Sequence, residues 1–493
     1  MAESTIRLPR IEGHAYLARN DEGHVTLRGP RGQGLEDRLT GMAPLDAPHL
    51  VQHIGADGGV AHTLAATAAL EAAAGITPAH MGQTLRALLL NLSILHAHLR
   101  QFYTQALPDY LPMATLADYK GAMPGLDSLA KSLAGKPRDD WSQDRFTHPF
   151  TSGETGRLWE RRARMEKALG HLQRMMAMLG GKFPVIMSVV PGGVTMTPSR
   201  AQLLRLGLLF HDVREFITNG VLEDVRLIIQ RYPDLATLGK GSEDFLVASP
   251  GEVDVDSPQR WAIPGIFLQH KLDTFGAVAT EDIHSSFYQI ARGGKTGVVA
   301  AVDPGKSGAY SWIKSPRYQG RPMETGPMAR MLIAYLSGTR QWGPELVDEV
   351  ERITGQALQQ GNTVAGRLLA RAGELTGLAE HVARQLSEVD PDQPTVSAGA
   401  EALTHLNGEG LGFLEGPAGA VQHRLIVENG RIAHYDIISP NTWNAAPRGG
   451  DGLRGSLEQA LNAEKLDFSN QRNRLALSRI VHSFALSMSD ATH

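Results

Sequence analysis

The chain has 493 residues, of which 42% are hydrophobic and 20% charged, with a formal net charge of -4 and no cysteine. These proportions are those of an ordinary globular protein, and the charge gives no reason to expect binding to nucleic acid or to an anionic membrane. The absence of cysteine excludes disulfides, thiolate metal sites, Fe–S ligation and thiol nucleophiles.

The first predicted elements are a β-hairpin and a long helix. Residues 6–28 alternate between apolar and polar side chains around a turn at 20–23, which favours a hairpin. From residue 78 to residue 107 apolar side chains recur at helical spacing, which predicts a long and largely buried helix. No segment approaches the roughly 18–20 apolar residues of a membrane span, so we expect no direct membrane span.

The rest of the chain predicts mostly helices. A second β region is expected over residues 410–438, with a turn at 428–430, and polar segments at 232–262 and 388–398 predict surface loops. We therefore expect a mainly α fold with small antiparallel β-sheets (α+β) and a single domain over residues 1–493. The other predicted helices cover residues 155–180, 199–218, 221–231, 327–338, 344–387 and 470–484.

A series of motifs follows in order along the chain. It begins with Arg-Ile-Glu-Gly-His at residues 10–14 and continues through the segments 53–63, 316–324 and 442–448. These segments resemble the motifs of the large subunit of nickel-iron hydrogenases. The resemblance implies the fold of that family, with a long central helix bundle, and an Fe–S small subunit as partner.

The metal-ligand positions of that family are replaced in this sequence. In the family, two Cys-x-x-Cys pairs hold a nickel-iron centre, and the matching positions here are Gly55, Gly58, Ser487 and Asp490. Glycine offers no side chain, and a hydroxyl and a hard carboxylate do not replace the soft thiolates that nickel requires in this role. The comparison with the family therefore implies that no Ni-Fe centre is present.

Three charged positions around the family's metal centre are also replaced. Ala97 stands for an aspartate on the long helix, Ala418 for an arginine above the metals, and Ala485 for an aspartate near the C-terminus. Groups around a metal normally orient its ligands, so their joint loss implies a site that is no longer built.

Other positions match family residues that have a function. Glu12 matches the glutamate proposed to pass protons from the centre, with a purely hydrogen-bonding role as the alternative. Glu36, the backbone of Ile437 and His493 match the ligands of an ion beside the C-terminus, so a magnesium site is expected there. The alternative is a tail held by a charge-assisted hydrogen bond.

His53, Asp57 and His62 are further candidates for a pocket. If the family fold holds, we expect them to converge with Ser487 and Asp490. Nitrogen and oxygen donors of this kind could bind another metal.

Three functions remain open on the sequence alone. The first is a non-catalytic structural subunit that keeps the surface for an Fe–S small subunit. The second is a scaffold for hydrogenase maturation or assembly, and the third is an enzyme that uses the emptied pocket for another metal or a small molecule. The location also stays open, between the cytoplasm and a membrane reached through a partner subunit.

Overall fold

The computed structural model of the chain describes residues 5–492 apart from 21, 33, 56, 135, 137–145, 252–260, 277–278, 291–298, 340–343, 399–402 and 404. The predicted mainly α class with small antiparallel sheets is confirmed. The helices are α1 (Leu35–Leu39), α2 (Ala47–Val51), α3 (Gly59–Ala74), α4 (His80–Arg100), α5 (Pro124–Ala134), α6 (Ser152–Gly180), α7 (Arg200–Thr218), α8 (Val221–Arg231), α9 (Pro327–Leu336), α10 (Pro344–Thr354), α11 (Val364–Glu388), α12 (Pro440–Asn444), α13 (Ser456–Asn462), α14 (Gln471–Ser483) and α15 (Met488–Ala491).

The strands form small sheets of two or three members, all paired antiparallel in the described part of the chain. The N-terminal hairpin and the C-terminal β region are present as predicted, and the other small sheets were not predicted. The strands are β1 (Thr5–Arg7), β2 (Tyr16–Arg19), β3 (Val25–Arg28), β4 (Val189–Val190), β5 (Gly193–Val194), β6 (Phe245–Val247), β7 (Gly265–Leu268), β8 (Lys271–Asp273), β9 (Thr280–Glu281), β10 (Tyr288–Ile290), β11 (Val299–Val302), β12 (Pro316–Arg317), β13 (Gly408–Gly416), β14 (Gly419–Glu428) and β15 (Arg431–Ile438).

A bundle of long helices forms the centre of the molecule. Helix α4 packs against α6 and α11, and α7 packs against both of these. Helix α6 begins with a capping box between Thr151 and Glu154, which satisfies free backbone N–H groups at its start. Helix α4 passes directly into a π-helical turn at Gln101–Ala106, so its C-terminal end changes pitch next to the candidate site described below.

Helix α3 lies on the C-terminal sheet at very short range. A Cβ atom added to Gly410 would lie 1.8 Å from the carbonyl oxygen of Ala69, and one added to Gly412 would lie 1.9 Å from that of Ala65. Strand β13 therefore needs glycine where the helix crosses it. This close packing fixes the start of α3, which carries His62.

Two sequence predictions were wrong in detail. The segment 344–387 is not one helix, because α10 ends at Thr354 and Gly355 follows in the left-handed conformation that commonly closes a helix. The segment 232–262 is not a surface loop throughout, since β6 lies within it, pairs with β7 and is buried.

The two ends of the chain meet. The largest group of buried apolar side chains extends from Leu8 to Ala491. Glu12 forms a parallel bridge with Ser487, and the N–H of Met488 donates to the Glu12 carbonyl at 2.9 Å. Across the described part of the chain, no helix combines the length and apolar character needed to cross a membrane.

Candidate functional site

The four positions that hold thiolates in the resembling family lie together. A Cβ added to Gly55 would be 3.4 Å from Asp490 Cβ and 3.5 Å from Ser487 Oγ, and one added to Gly58 would be 3.5 Å from Asp490 Oδ1. Gly58 caps the start of α3, and Ser487 caps the start of α15 by accepting from the Asp490 N–H at 3.3 Å. The expected convergence of the two ends is therefore present in the structure.

These positions line a small pocket, which we call the closed pocket because so little of its space is free. Its free space is only about 20 Å³, which is room for about one water molecule. Ala418 and Ala485 line it, whereas Ala97 is buried in α4 and is not part of its lining. The lining consists of Glu12, Gly55, Asp57, Gly58, His62, Arg100, Gln101, Gln105, Pro417, Ala418, Val421, Pro440, Asn441, Ala485, Leu486, Ser487 and Asp490.

Asp490 is the centre of the hydrogen bonding in the closed pocket. Its Oδ1 lies 2.8 Å from His62 Nε2, and its Oδ2 accepts from the Asn441 side chain at 2.5 Å and from the Asn441 backbone N–H at 3.3 Å. The Asp490 carbonyl also accepts from Ser439 Oγ at 2.7 Å. Asp490 thus provides the acceptor for donors that converge from α3 and α12.

A line of hydrogen bonds leads from Asp490 into the core. His62 Nδ1 lies 2.8 Å from His423 Nε2, and His423 Nδ1 lies 2.9 Å from the Tyr435 hydroxyl. Burial raises the pKa of Tyr435 well above its ordinary value, so Tyr435 stays protonated and donates to His423. When His423 donates to His62 and His62 donates to Asp490, every donor in the line has an acceptor.

An ion pair occupies another wall of the closed pocket. Arg100 Nε donates to Asp57 Oδ1 at 2.9 Å, and Arg100 Nη2 donates to Asp57 Oδ2 at 2.5 Å. Burial opposes the charge, but the contact with Asp57 and the nearby Glu12 hold the pKa of Arg100 above its ordinary value. Arg100 therefore stays charged, and two of its N–H groups are used by Asp57.

Glu12 separates the closed pocket from a second cavity. Its Oε2 accepts from Ser487 Oγ at 3.0 Å, and Glu12 also lines a neighbouring cavity of about 210 Å³. His53 lies in this second cavity and not in the closed pocket, so it does not converge with Ser487 and Asp490 as expected. His96 borders the same cavity, and burial lowers its pKa to about 4, which leaves it neutral.

The positions predicted to bind magnesium surround a lysine. The Lys314 ammonium donates to Glu36 Oε1 at 2.5 Å, to Asp436 Oδ1 at 2.7 Å and to the Ile437 carbonyl at 3.1 Å. The Ile437 N–H donates to the same Glu36 oxygen at 2.6 Å. The third predicted ligand, His493, lies outside the described residues. Glu36 and Ile437 are thus brought together, and the cation between them is an ammonium.

The donor set of the closed pocket does not fit a nickel-iron centre. It contains oxygen and nitrogen but no sulfur, and soft thiolates are what that centre needs. In the portion of the chain that the structure describes, no group of three or more His, Asp or Glu side chains is arranged to hold a metal ion.

Sequence reasoning did not identify several residues of these sites. Arg100 could have been found from the sequence, because a charged residue at the end of a long apolar helical run is unusual and needs a partner. His423 and Lys314 carried no such signal, since their partners are distant in sequence and only the fold brings them together.

Comparisons with known proteins agree over the whole chain. A family model for nickel-dependent hydrogenases matches residues 33–159 and 165–493. The large subunit of the periplasmic NiFeSe hydrogenase of Desulfomicrobium baculatum is 27% identical over 505 residues, covering 99% of this chain and 93% of the relative. The hydrogenase-2 large chain of Escherichia coli is 25% identical, with 98% and 95% covered. The reduced, active Ni-Fe-Se hydrogenase of Desulfomicrobium baculatum has a similar structure, with a TM-score of 0.83, 25% identity and full coverage of both chains.

Proposed function

This chain belongs to the nickel-dependent hydrogenase family, and from that premise we propose that it is a non-catalytic structural subunit that pairs with an Fe–S small subunit. It keeps the family fold over its whole length and does not activate hydrogen. The observation that carries the proposal is the closed pocket. Its four ligand positions contribute no sulfur, and side chains of the chain itself, hydrogen-bonded to one another, fill most of its space.

The chemistry at these positions supports the absence of the metals. The carboxylate of Asp490 accepts hydrogen bonds from His62 and Asn441. A buried donor without an acceptor costs free energy, so this carboxylate stabilises the pocket with no metal-bound ligand in it. The magnesium ion that the family resemblance implies beside Glu36 has no part in this function.

The size of the closed pocket argues against the alternative of a new enzyme activity there. Space for about one water molecule does not admit a substrate, and the Arg100–Asp57 pair occupies one wall.

The retained length supports a role in a complex. Relatives matched over 98–99% of this chain are described as large subunits or large chains, a name that itself implies an assembly with a smaller subunit. We propose that this partner also determines where the protein is located, in the cytoplasm or at a membrane.

The test combines partner capture with metal analysis. The full chain is co-expressed with an Fe–S small subunit from its own organism, purified, and assayed for nickel, iron and hydrogen uptake, with the Escherichia coli hydrogenase-2 subunits treated identically as the positive control. We expect a stable complex in which the iron is that of the small subunit, no nickel above the buffer blank, and no hydrogen uptake.

Two outcomes of this test would contradict the proposal. Stoichiometric nickel, or hydrogen uptake comparable to that of the control, would refute the proposal. Association only with maturation proteins, and not with the small subunit, would favour the scaffold function instead.

A further inference from the structure

We propose that Lys314 is the resident cation of the Glu36–Asp436 carboxylate pair, and that this chain needs no divalent cation at the position where its family resemblance implies magnesium. The inference concerns the isolated chain and does not depend on the partner proposed above.

The ammonium of Lys314 is buried and fully hydrogen-bonded. The Lys314 side chain is 2% exposed, Glu36 15% and Asp436 9%. A lysine ammonium has three N–H donors, and here each has an acceptor, two of them carboxylate oxygens and one the Ile437 carbonyl. The Tyr288 ring lies 5.9 Å from the same nitrogen, within range of a cation–π contact. A buried charge is tolerated only with such partners.

The ammonium and a magnesium ion would compete for the same oxygens. Magnesium binds oxygen at about 2.0–2.1 Å. An ion on Glu36 Oε1, which lies 2.5 Å from Lys314 Nζ, would therefore be less than about 5 Å from the ammonium. Two cations that close repel each other strongly in a buried site. Binding of magnesium would require the Lys314 side chain to leave.

The contacts of Lys314 also join segments in the way a structural metal does. Glu36 lies on α1, Lys314 precedes β12, and Asp436 and Ile437 lie on β15. One ammonium therefore ties three distant parts of the chain together. In a metal site a bound ion would join these segments, whereas here a side chain of the protein itself joins them.

Lys306 offers a matched control. Its ammonium contacts the carbonyl oxygens of Ile283, Ser286 and Tyr288, the latter two at 2.8 and 2.9 Å. These acceptors are neutral carbonyl oxygens, so removing Lys306 takes no hydrogen bond from a carboxylate, and Asp282 and Asp303 act on Lys306 only through their charge.

The experiment measures metal content and thermal stability of the full chain. Wild-type protein is treated with EDTA, desalted and analysed for magnesium, and its Tm is recorded with and without millimolar MgCl2. We expect no stoichiometric magnesium and no change in Tm. For Lys314→Met we expect a lower Tm that MgCl2 raises by about 2 °C or more, because the ion can then take the place of the ammonium between Glu36 and Asp436.

The controls separate this effect from a general response to magnesium. Lys306→Met should show no rise with MgCl2, and adding Glu36→Gln to Lys314→Met should abolish the rise. One magnesium per wild-type chain, or a wild-type Tm that EDTA lowers and magnesium restores, would overturn the inference. So would a Lys314→Met protein that is as stable as wild type without magnesium. If Lys314→Met does not fold, the wild-type measurements decide the question alone.

Discussion

Asp490 is the residue on which the hydrogen bonds of the closed pocket converge. It stands where the resembling family has a metal-binding cysteine. Its two carboxyl oxygens face His62 and Asn441, which are both buried. The residue that stands where the family resemblance implies a thiolate is thus a carboxyl group that joins donors from two segments of the protein.

Replacement of Asp490 by asparagine tests the role of the carboxyl group. Asp490→Asn keeps the shape but replaces one acceptor oxygen by a donor group, so either His62 or Asn441 loses its partner. We expect the free energy of unfolding, measured with urea, to fall by about 1–3 kcal/mol. The control is Asp392→Asn, at an Asp392 side chain that is 71% exposed and paired with Arg200, which should change it by less than about 0.5 kcal/mol. An Asp490→Asn protein as stable as wild type would contradict this role.

Gly55 and Gly58 differ in how well their backbone conformations tolerate a side chain. Gly55 has a φ of 72°, which is unfavourable for a residue with a side chain, whereas Gly58 has a φ of -91°. We expect Gly55→Ala to lower the free energy of unfolding by about 1 kcal/mol more than Gly58→Ala. Chemical denaturation of both variants measures the difference. Equal stability of the two variants would show that the Gly55 backbone relaxes freely.

At the scale of elements, α13 is joined to its neighbours through a buried acid. Glu458 accepts from the Tyr310 hydroxyl at 2.8 and 2.9 Å and from the Leu27 N–H at 3.3 Å, so one carboxyl connects α13 with β3 and with the segment after β11. Burial raises the pKa of Glu458 from 4.5 to about 7. This connection is therefore sensitive to pH.

The raised pKa fixes the direction of that sensitivity. Between pH 4.5 and 7 the folded chain holds the Glu458 proton while the unfolded chain has lost it. The stabilisation from this group is thus complete below pH 4.5 and is lost as the pH rises through 7. We expect Glu458→Gln, which cannot ionise, to remove this part of the decline in urea-unfolding experiments across that range. A decline of the same slope in wild type and variant would assign it to other groups.

At the scale of the whole molecule, the two chain ends share one core. The group of buried apolar side chains includes Leu8 near the start and Ala491 near the end. Met488 is fully buried, and its side chain lies 3.1 Å from where a Cβ on Gly13 would be. The C-terminal tail is therefore a structural part of the core and of the closed pocket.

This shared core predicts one cooperative unit. We expect the single domain inferred for residues 1–493 to unfold in one calorimetric transition, with the calorimetric and van't Hoff enthalpies equal. Met488→Ala should lower the Tm of that one transition, because it removes buried volume between the two ends. Two separate transitions, only one of which shifts in Met488→Ala, would show that the N- and C-terminal parts fold independently.

Local patterns predicted the long helices well because their side chains repeat at the helical period. Helices α6, α7, α8 and α14 were expected within a few residues of their bounds, and the helix expected over 78–107 is α4 together with the π-helical turn that follows it. Helix α3 was not predicted, since it is alanine-rich and buried around most of its circumference, so it shows no apolar face. Strand β6 was missed because it is only three residues long within a polar segment.

The sequence by itself determined the family, the fold class and the residue types at positions Gly55, Gly58, Ser487 and Asp490, because these follow from residue identity and order. Only the tertiary structure decided what occupies the space that was left. Arg100 pairs with Asp57, which is 43 positions away in the sequence, and Lys314 pairs with Glu36, which is 278 positions away. Such pairs depend on how distant elements pack, and no local pattern encodes them. The protein groups that stand where metals were expected therefore became visible only when the chain was folded.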